Sequence, residues 1–326
     1  MAINGDVRVK NRIGSWCAVV RLAIAATVGL TGSAWAGPST VDTTNGFLAP
    51  TPSLLYTYPK IGSTYVRSAK GLKTYAATLT VAGSSRRYIV MRPDPAPAGA
   101  PVMLMLHPRD TSPEVMTNLT NAVDYVATQG FWAVMPQATN GVWQETASNG
   151  TQDVAFMRAL IDTLATQGVD KNRVYAIGYS SGGLFASRLA CEMSDRIAAF
   201  GVVSGSTRYE TLVSCAPPIH RPKQFFLGTH DPLQLYDSGR AVVQEWSRKQ
   251  KCSGVVSNLL PDRANDSTTV QRDDYTGCTG SVLQLFTVYG GGHAWPGGLT
   301  GATSVTTQDI SATGLFWAMA RSFRTN

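Results

Sequence analysis

The chain is poor in histidine and in charge, and it has no long apolar run beyond its first thirty residues. Only four histidines occur in 326 residues, at positions 107, 220, 230 and 293, so an imidazole base has few places to come from. Charged residues make up 15%, too few for a charge-solvated disordered chain, and the 44% of hydrophobic residues supplies a core. No Lys/Arg cluster with interleaved aromatics occurs, which argues against a nucleic-acid partner. No CxxC or Cys/His spacing of metal-ligand type is present, so no metal and no cofactor is expected. There is no internal repeat and no second domain boundary, and residues 37–326 read as one domain and one monomer.

The first 36 residues read as an export leader. Arg8, Lys10, Arg12 and Arg21 make a basic start, Leu22 to Leu30 is apolar but too short to span a bilayer, and Ala34-Trp35-Ala36 offers a small-x-small cleavage pattern. The expected location is therefore extracellular or periplasmic, with no membrane association after cleavage. Without this leader, four Lys/Arg and one Asp leave the counts of 28 and 21, giving 24 against 20, a mild net charge of +4. Of the five cysteines, Cys17 leaves with the leader. Cys191, Cys215, Cys252 and Cys278 remain, an even number that predicts two disulfides in an oxidising compartment. Near-neighbour pairing, Cys191 with Cys215 and Cys252 with Cys278, is favoured because each closes a modest loop.

Residues 37–73 read as an extended lead-in. Thr74–Val81 and Arg86–Met91 then predict an antiparallel hairpin, and from Val102 strands and helices alternate. Strands are predicted at Val102–Leu106, Phe131–Met135, Val174–Ile177, Ala198–Val203, Gln224–Leu227 and Val282–Val288. Helices are predicted at Pro113–Gln129, Asp153–Gln167, after Gly182, at Arg240–Lys249 and at Asp309–Arg324. Repeated strand–helix units predict a mostly parallel sheet with helices on both faces.

The segment Val174-Tyr175-Ala176-Ile177-Gly178-Tyr179-Ser180-Ser181-Gly182-Gly183 organises the rest. A strand-like run leads into Gly-x-Ser-x-Gly and a helix-like run follows, the order required of a nucleophile elbow that exposes a serine at the mouth of a sheet. Ser180 is the candidate nucleophile. It needs a base, and the base needs an acid to orient it. His293, in the glycine-rich loop Gly290–Gly298 after the last strand, is the candidate base. Asp231, just after the strand ending near Leu227, is the candidate acid, ahead of Asp237 and Glu210; His230 beside it is assigned a structural role. For the oxyanion the expected donors are the amides of Ser181 and of Arg109, since Pro108 has no N–H.

Together with Leu106-His107, Val169 to Tyr175, Leu189-Ala190-Cys191-Glu192, Gly228-Thr229-His230-Asp231-Pro232 and Gly291 to Gly298, these motifs resemble the secreted esterase family that includes polyhydroxybutyrate depolymerases, with feruloyl and acetylxylan esterases as relatives. The resemblance implies an α/β-hydrolase fold and a serine carboxylester hydrolase whose triad falls on Ser180, Asp231 and His293. One departure is Pro108, where the family usually has glycine. The leading substrate expectation is a polyester or oligoester of the polyhydroxyalkanoate type; the alternative is a feruloyl or acetylxylan ester of plant cell walls. The absence of a recognisable binding domain, His107, Trp143 and Trp295 as candidate substrate contacts, few acidic residues near the cleft, and Arg109 as a partner for a carboxylate end all enter that expectation.

Overall fold

The computed structural model describes residues 66–205, 212–299 and 304–326, with the backbone of three two-residue strands upstream at Trp35–Ala36, Val41–Asp42 and Phe47–Leu48. Apart from that backbone, the leader expected at residues 1–36, most of the lead-in and Glu210 lie outside the described residues.

The chain enters the sheet as a hairpin of β1 (Leu72–Val81) and β2 (Ser84–Pro93), with Val81 opposite Ser84. Ala82 and Gly83 form the turn with φ of 48° and 79°, the left-handed pair whose twist matches that of the two strands. Then follow β3 (Ala100–Leu106), α1 (Pro113–Leu119), α2 (Ala122–Gln129), β4 (Trp132–Pro136), α3 (Gln152–Thr166), β5 (Val169–Tyr179) and α4 (Ser181–Glu192). The chain continues with β6 (Ala199–Val203), β7 (Lys223–Gly228), α5 (Tyr236–Lys249), β8 (Gly254–Leu259), β9 (Thr269–Thr276), β10 (Leu283–Tyr289) and α6 (Ala312–Ala320).

Among the described residues these strands form one sheet in the order β8-β9-β10-β7-β6-β5-β3-β4-β2-β1, continued past β1 by two of the short upstream strands. The run from β10 to β4 is parallel, and the strands at both ends are antiparallel. This is the α/β-hydrolase arrangement. The central strands are apolar at consecutive positions because both sheet faces are covered. In β3, Val102, Leu104 and Leu106 enter a core with Phe156, Leu160, Phe185, Leu189 and Trp246 of α3, α4 and α5. Met103 and Met105 point to the other face, into a core with Met116, Val123, Val126, Phe316 and Trp317 of α1, α2 and α6. The period-two alternation of one strand thus feeds two cores.

Several predicted elements differ. The helix expected over Pro113–Gln129 is two helices, broken at Thr120 and Asn121, where Asn121 takes φ 52°. The break frees Leu119 O for Leu299 N–H and Thr120 O for the Thr313 hydroxyl, and Asn121 Nδ2 donates to Gly297 O. These bonds tie the loop after His293 and the start of α6 to the α1–α2 junction, an outcome no local propensity specifies. Helix α5 starts four residues before Arg240, and α6 starts at Ala312, where the Ser311 hydroxyl accepts from Gly314 N–H as its cap. The β8–β9 hairpin escapes the sequence reading because every residue of β8 is exposed and β9, which carries Arg272, Asp273 and Asp274, buries only Val270. The disulfides join Cys191 to Cys215 and Cys252 to Cys278, the expected pairing.

Candidate active site

Ser180 follows β5, Asp231 follows β7, His293 follows β10 and His107 follows β3. These strands run parallel, so all four residues emerge at the carboxyl edge of the sheet, where open α/β sheets bind their ligands.

Ser180 takes φ 53° and ψ −120°, a conformation costly for any residue with a side chain. It is held there by its N–H on Val203 O at 2.9 Å and by Leu184 N–H on its own carbonyl at 3.0 Å. The flanking glycines are steric necessities: a Cβ on residue 178 would lie 2.0 Å from Gly182 O, and one on residue 182 would lie 2.2 Å from Leu106 O. The elbow therefore sits backbone to backbone against the end of β3. Ser181 opens α4, where the first amides have no partner within the helix.

His293 Nδ1 lies 2.8 Å from Asp231 Oδ2. A carboxylate can only accept, so Nδ1 carries the hydrogen and Nε2 of the neutral ring keeps its lone pair. Asp231 is 5% exposed, and its Oδ1 accepts from the amides of Leu233 at 2.9 Å and Gln234 at 2.8 Å. Those bonds fix the carboxylate before the imidazole meets it. Asp237 sits exposed in the first turn of α5. On the far side Tyr179, the residue before Ser180, donates its hydroxyl to His293 O at 2.8 Å, with the two rings 5.0 Å apart. Tyr179 thereby brings His293 to the elbow; sequence reading missed it because the middle residue of Gly-x-Ser is free to vary in the motif. Among the described hydrogen bonds none joins Ser180 Oγ to His293. Such bonds often close only when substrate is bound.

His107, Trp143 and Trp295, the expected substrate contacts, are instead buried in the protein interior. His107 is fully buried. Its Nε2 accepts from Ala138 N–H at 3.0 Å, which fixes the hydrogen on Nδ1, 2.7 Å from Pro108 O. Burial pulls its pKa down to about 4, so the ring is neutral. Trp143 is 1% exposed, stacks on Phe185 at 4.8 Å and donates Nε1 to His107 O at 2.8 Å. Both residues brace the loop after β3. Trp295, also 1% exposed, donates to the Thr313 hydroxyl at 3.1 Å and packs edge-on to Tyr179. Their rings are large, so core packing claims them first. In the same loop, Asp110 N–H is bonded to Gly141 O at 2.9 Å, while the Arg109 N–H has no bond among the described residues.

The expectation of few acidic groups near the cleft has one exception. Glu145, in the loop after β4, accepts from Ser181 Oγ at 2.8 Å and pairs with Arg109 at 3.5 Å. The loop reaches there because Arg188, 4% exposed on α4, donates Nη1 to the carbonyls of Gln144, Thr146 and Gly150 at 2.6 to 2.8 Å. The fully buried Asp153 adds bonds to Gln144 N–H, the Thr139 hydroxyl and Arg86. The only sequence signal was that Glu145 follows a strand of the parallel set; its partners lie about forty positions away and are invisible to local pattern reading. Among the described residues no group of three or more His, Cys, Asp or Glu could hold a metal ion.

The relatives of the chain are named esterases. It is 29% identical over 264 residues to a protein of Nocardia uniformis subsp. tsuyamanensis named as a candidate esterase, NocK, covering 69% of this chain and 75% of that one. It is 26% identical over 232 residues to feruloyl esterase D of Neurospora crassa, covering 66% and 76%. The acetyl xylan esterase of Aspergillus awamori superposes with a TM-score of 0.56 at 15% identity, over 67% of this chain and 94% of that one, a likeness of fold. No family model matches the chain.

Proposed function

We propose that the protein is an exported carboxylic ester hydrolase that works through an acyl-enzyme on Ser180, with His293 as base and Asp231 as its orienting acid. The observation that carries this reading is the His293 Nδ1 to Asp231 Oδ2 bond at 2.8 Å, made by a histidine that Tyr179 holds beside a serine in the elbow conformation. Nε2 takes the proton as Ser180 Oγ attacks the ester carbonyl, and the carbonyl oxygen gains negative charge. The amides of Ser181 and Arg109 are assigned to receive that charge. Collapse of the tetrahedral adduct expels the alcohol, protonated by the imidazolium. Water, deprotonated by His293, then releases the acid and restores Ser180.

For the substrate, we place plant cell-wall esters of the feruloyl or acetylxylan type ahead of polyesters. The names of the relatives support this order, and two supports for the polyester reading fall away: the two tryptophans are buried, and Arg109 is already paired with Glu145. Two disulfides fit an oxidising compartment, in keeping with the leader. Parallel assay of the protein on p-nitrophenyl esters of graded length, acetylated xylan, methyl ferulate and a polyhydroxyalkanoate emulsion tests the reading. Turnover of acetylated xylan or methyl ferulate above the emulsion is expected; clearing of the emulsion alone would reverse the order, and no ester turnover would remove it.

A further inference from the structure

The carboxylate of Glu145 has one oxygen engaged and one free. Oε1 accepts from Ser181 Oγ at 2.8 Å and meets Arg109 Nη2 at 3.5 Å. Oε2 has no partner among the described residues, and the side chain is 19% exposed, so the group is neither buried in the core nor freely solvated. Its backbone is pinned on both sides, because Arg188 Nη1 holds the carbonyls of Gln144 and Thr146, the residues before and after it. A loop carboxylate fixed this firmly, in contact with the residue that follows the nucleophile, is a preformed acceptor rather than a solvating surface group.

We propose that Glu145 is a specificity-determining residue that accepts a hydrogen bond, through Oε2, from a hydroxyl on the alcohol part of the substrate. The proposal rests on the ester-hydrolase reading of Ser180. Its position selects which hydroxyl. Ser181 directly follows the nucleophile, and its Oγ donates to Glu145, so the carboxylate is tied to the residue beside the reacting serine. In an ester of a partly acylated sugar ring, the hydroxyl on the carbon next to the esterified one is the donor nearest the reacting carbonyl. A phenolic hydroxyl on an aromatic acyl group lies across the ring, on the acyl side. Charge points the same way: a neutral polyol donates to a carboxylate, whereas the carboxylate end of a hydroxyacid oligomer would meet a second negative charge, with Arg109 already shared. The substrate class is therefore a neutral ester of a polyol with a free neighbouring hydroxyl, whatever its acyl group.

The test compares two acetates that differ at one group: a methyl xyloside monoacetate with a free vicinal hydroxyl, and the same compound with that hydroxyl O-methylated. The wild-type protein is expected to favour the free-hydroxyl ester in kcat/KM by at least about tenfold, as a hydrogen bond to a charged acceptor allows. In Glu145→Gln, which keeps an oxygen for Ser181 but loses the charge, that preference should fall to a few-fold. In Ser181→Ala, which releases Glu145 from its anchor, both substrates should slow and the preference should shrink. Equal turnover of the two acetates by wild type overturns the proposal without any variant. So does a preference that stays within twofold of wild type in folded Glu145→Gln. If neither acetate nor any p-nitrophenyl ester is turned over, the ester-hydrolase reading itself falls, and this one with it.

Discussion

Acid should destabilise this protein through His107. The ring is buried, and Ala138 N–H points at its Nε2, so a second proton would meet an N–H donor instead of an acceptor. Its folded pKa is lowered from 6.5 to about 4 by burial. The unfolded chain therefore binds the proton first as pH falls, and stability drops with decreasing pH. The contribution is intact above about pH 6.5, declines through the window down to about 4, and levels off below it. At pH 4.5 the loss from this one group is about 2.5 kcal/mol, and the full span is worth about 3.4 kcal/mol at 1.36 kcal/mol per pK unit. Urea unfolding at pH 7, 6, 5 and 4.5, on wild type and on His107→Gln, isolates it. The variant starts less stable, because it disturbs the bonds to Ala138 and Pro108, but it lacks the titration. The stability gap between the two should therefore narrow by about 2 to 3 kcal/mol from pH 7 to 4.5. A gap that stays constant within about 0.5 kcal/mol would refute the buried neutral tautomer.

Ser180→Gly should abolish turnover, on the order of 10⁶-fold, while leaving the melting temperature unchanged or raised, since glycine relieves a φ of 53°; a lowered Tm would contradict the strain argument. Asp231→Asn should cut kcat by orders of magnitude and Asp237→Asn should be mild, because only Asp231 holds His293 Nδ1; reversed effects in steady-state kinetics would move the acid. Arg188→Met should cost about 2 to 4 kcal/mol in chemical denaturation, as it leaves three loop carbonyls without their donor, and should weaken activity through Glu145. Breaking either disulfide, with sequence separations of 24 and 26, should cost about 3 to 4 kcal/mol in the chain-entropy account; a Cys252→Ser/Cys278→Ser protein as stable as wild type would contradict it.

The fold was legible wherever burial imposes a period. Val102–Leu106 and the run into Gly178 are apolar at consecutive positions because helices cover both faces, and that pattern needs no partner to be read. The elbow was legible because sterics fix it: Gly178 and Gly182 are the only residue type that lets β3, β5 and α4 meet backbone to backbone. The placement of His293 beside Asp231 was inferred from chain order and the structure forms that bond. What could not be read depends on contacts distant in sequence. Glu145 acquires its place from Arg188, Tyr179 from the carbonyl of His293, and the break at Asn121 from its bonds to Gly297, Leu299 and Thr313. Large aromatics misled for a related reason: Trp143 and Trp295 near a functional loop look the same in sequence whether they face the cleft or, as here, the core.

The most direct measurement is the identity of the residue that carries the acyl group. The protein is treated with a fluorophosphonate, digested, and mapped by mass spectrometry. A single adduct is expected on the peptide containing Ser180, with labelling slowed by orders of magnitude in His293→Ala, where no base remains to take the serine proton. An unlabelled Ser180 in a preparation that hydrolyses p-nitrophenyl acetate, or an adduct at another residue that quenches that activity, would contradict the account.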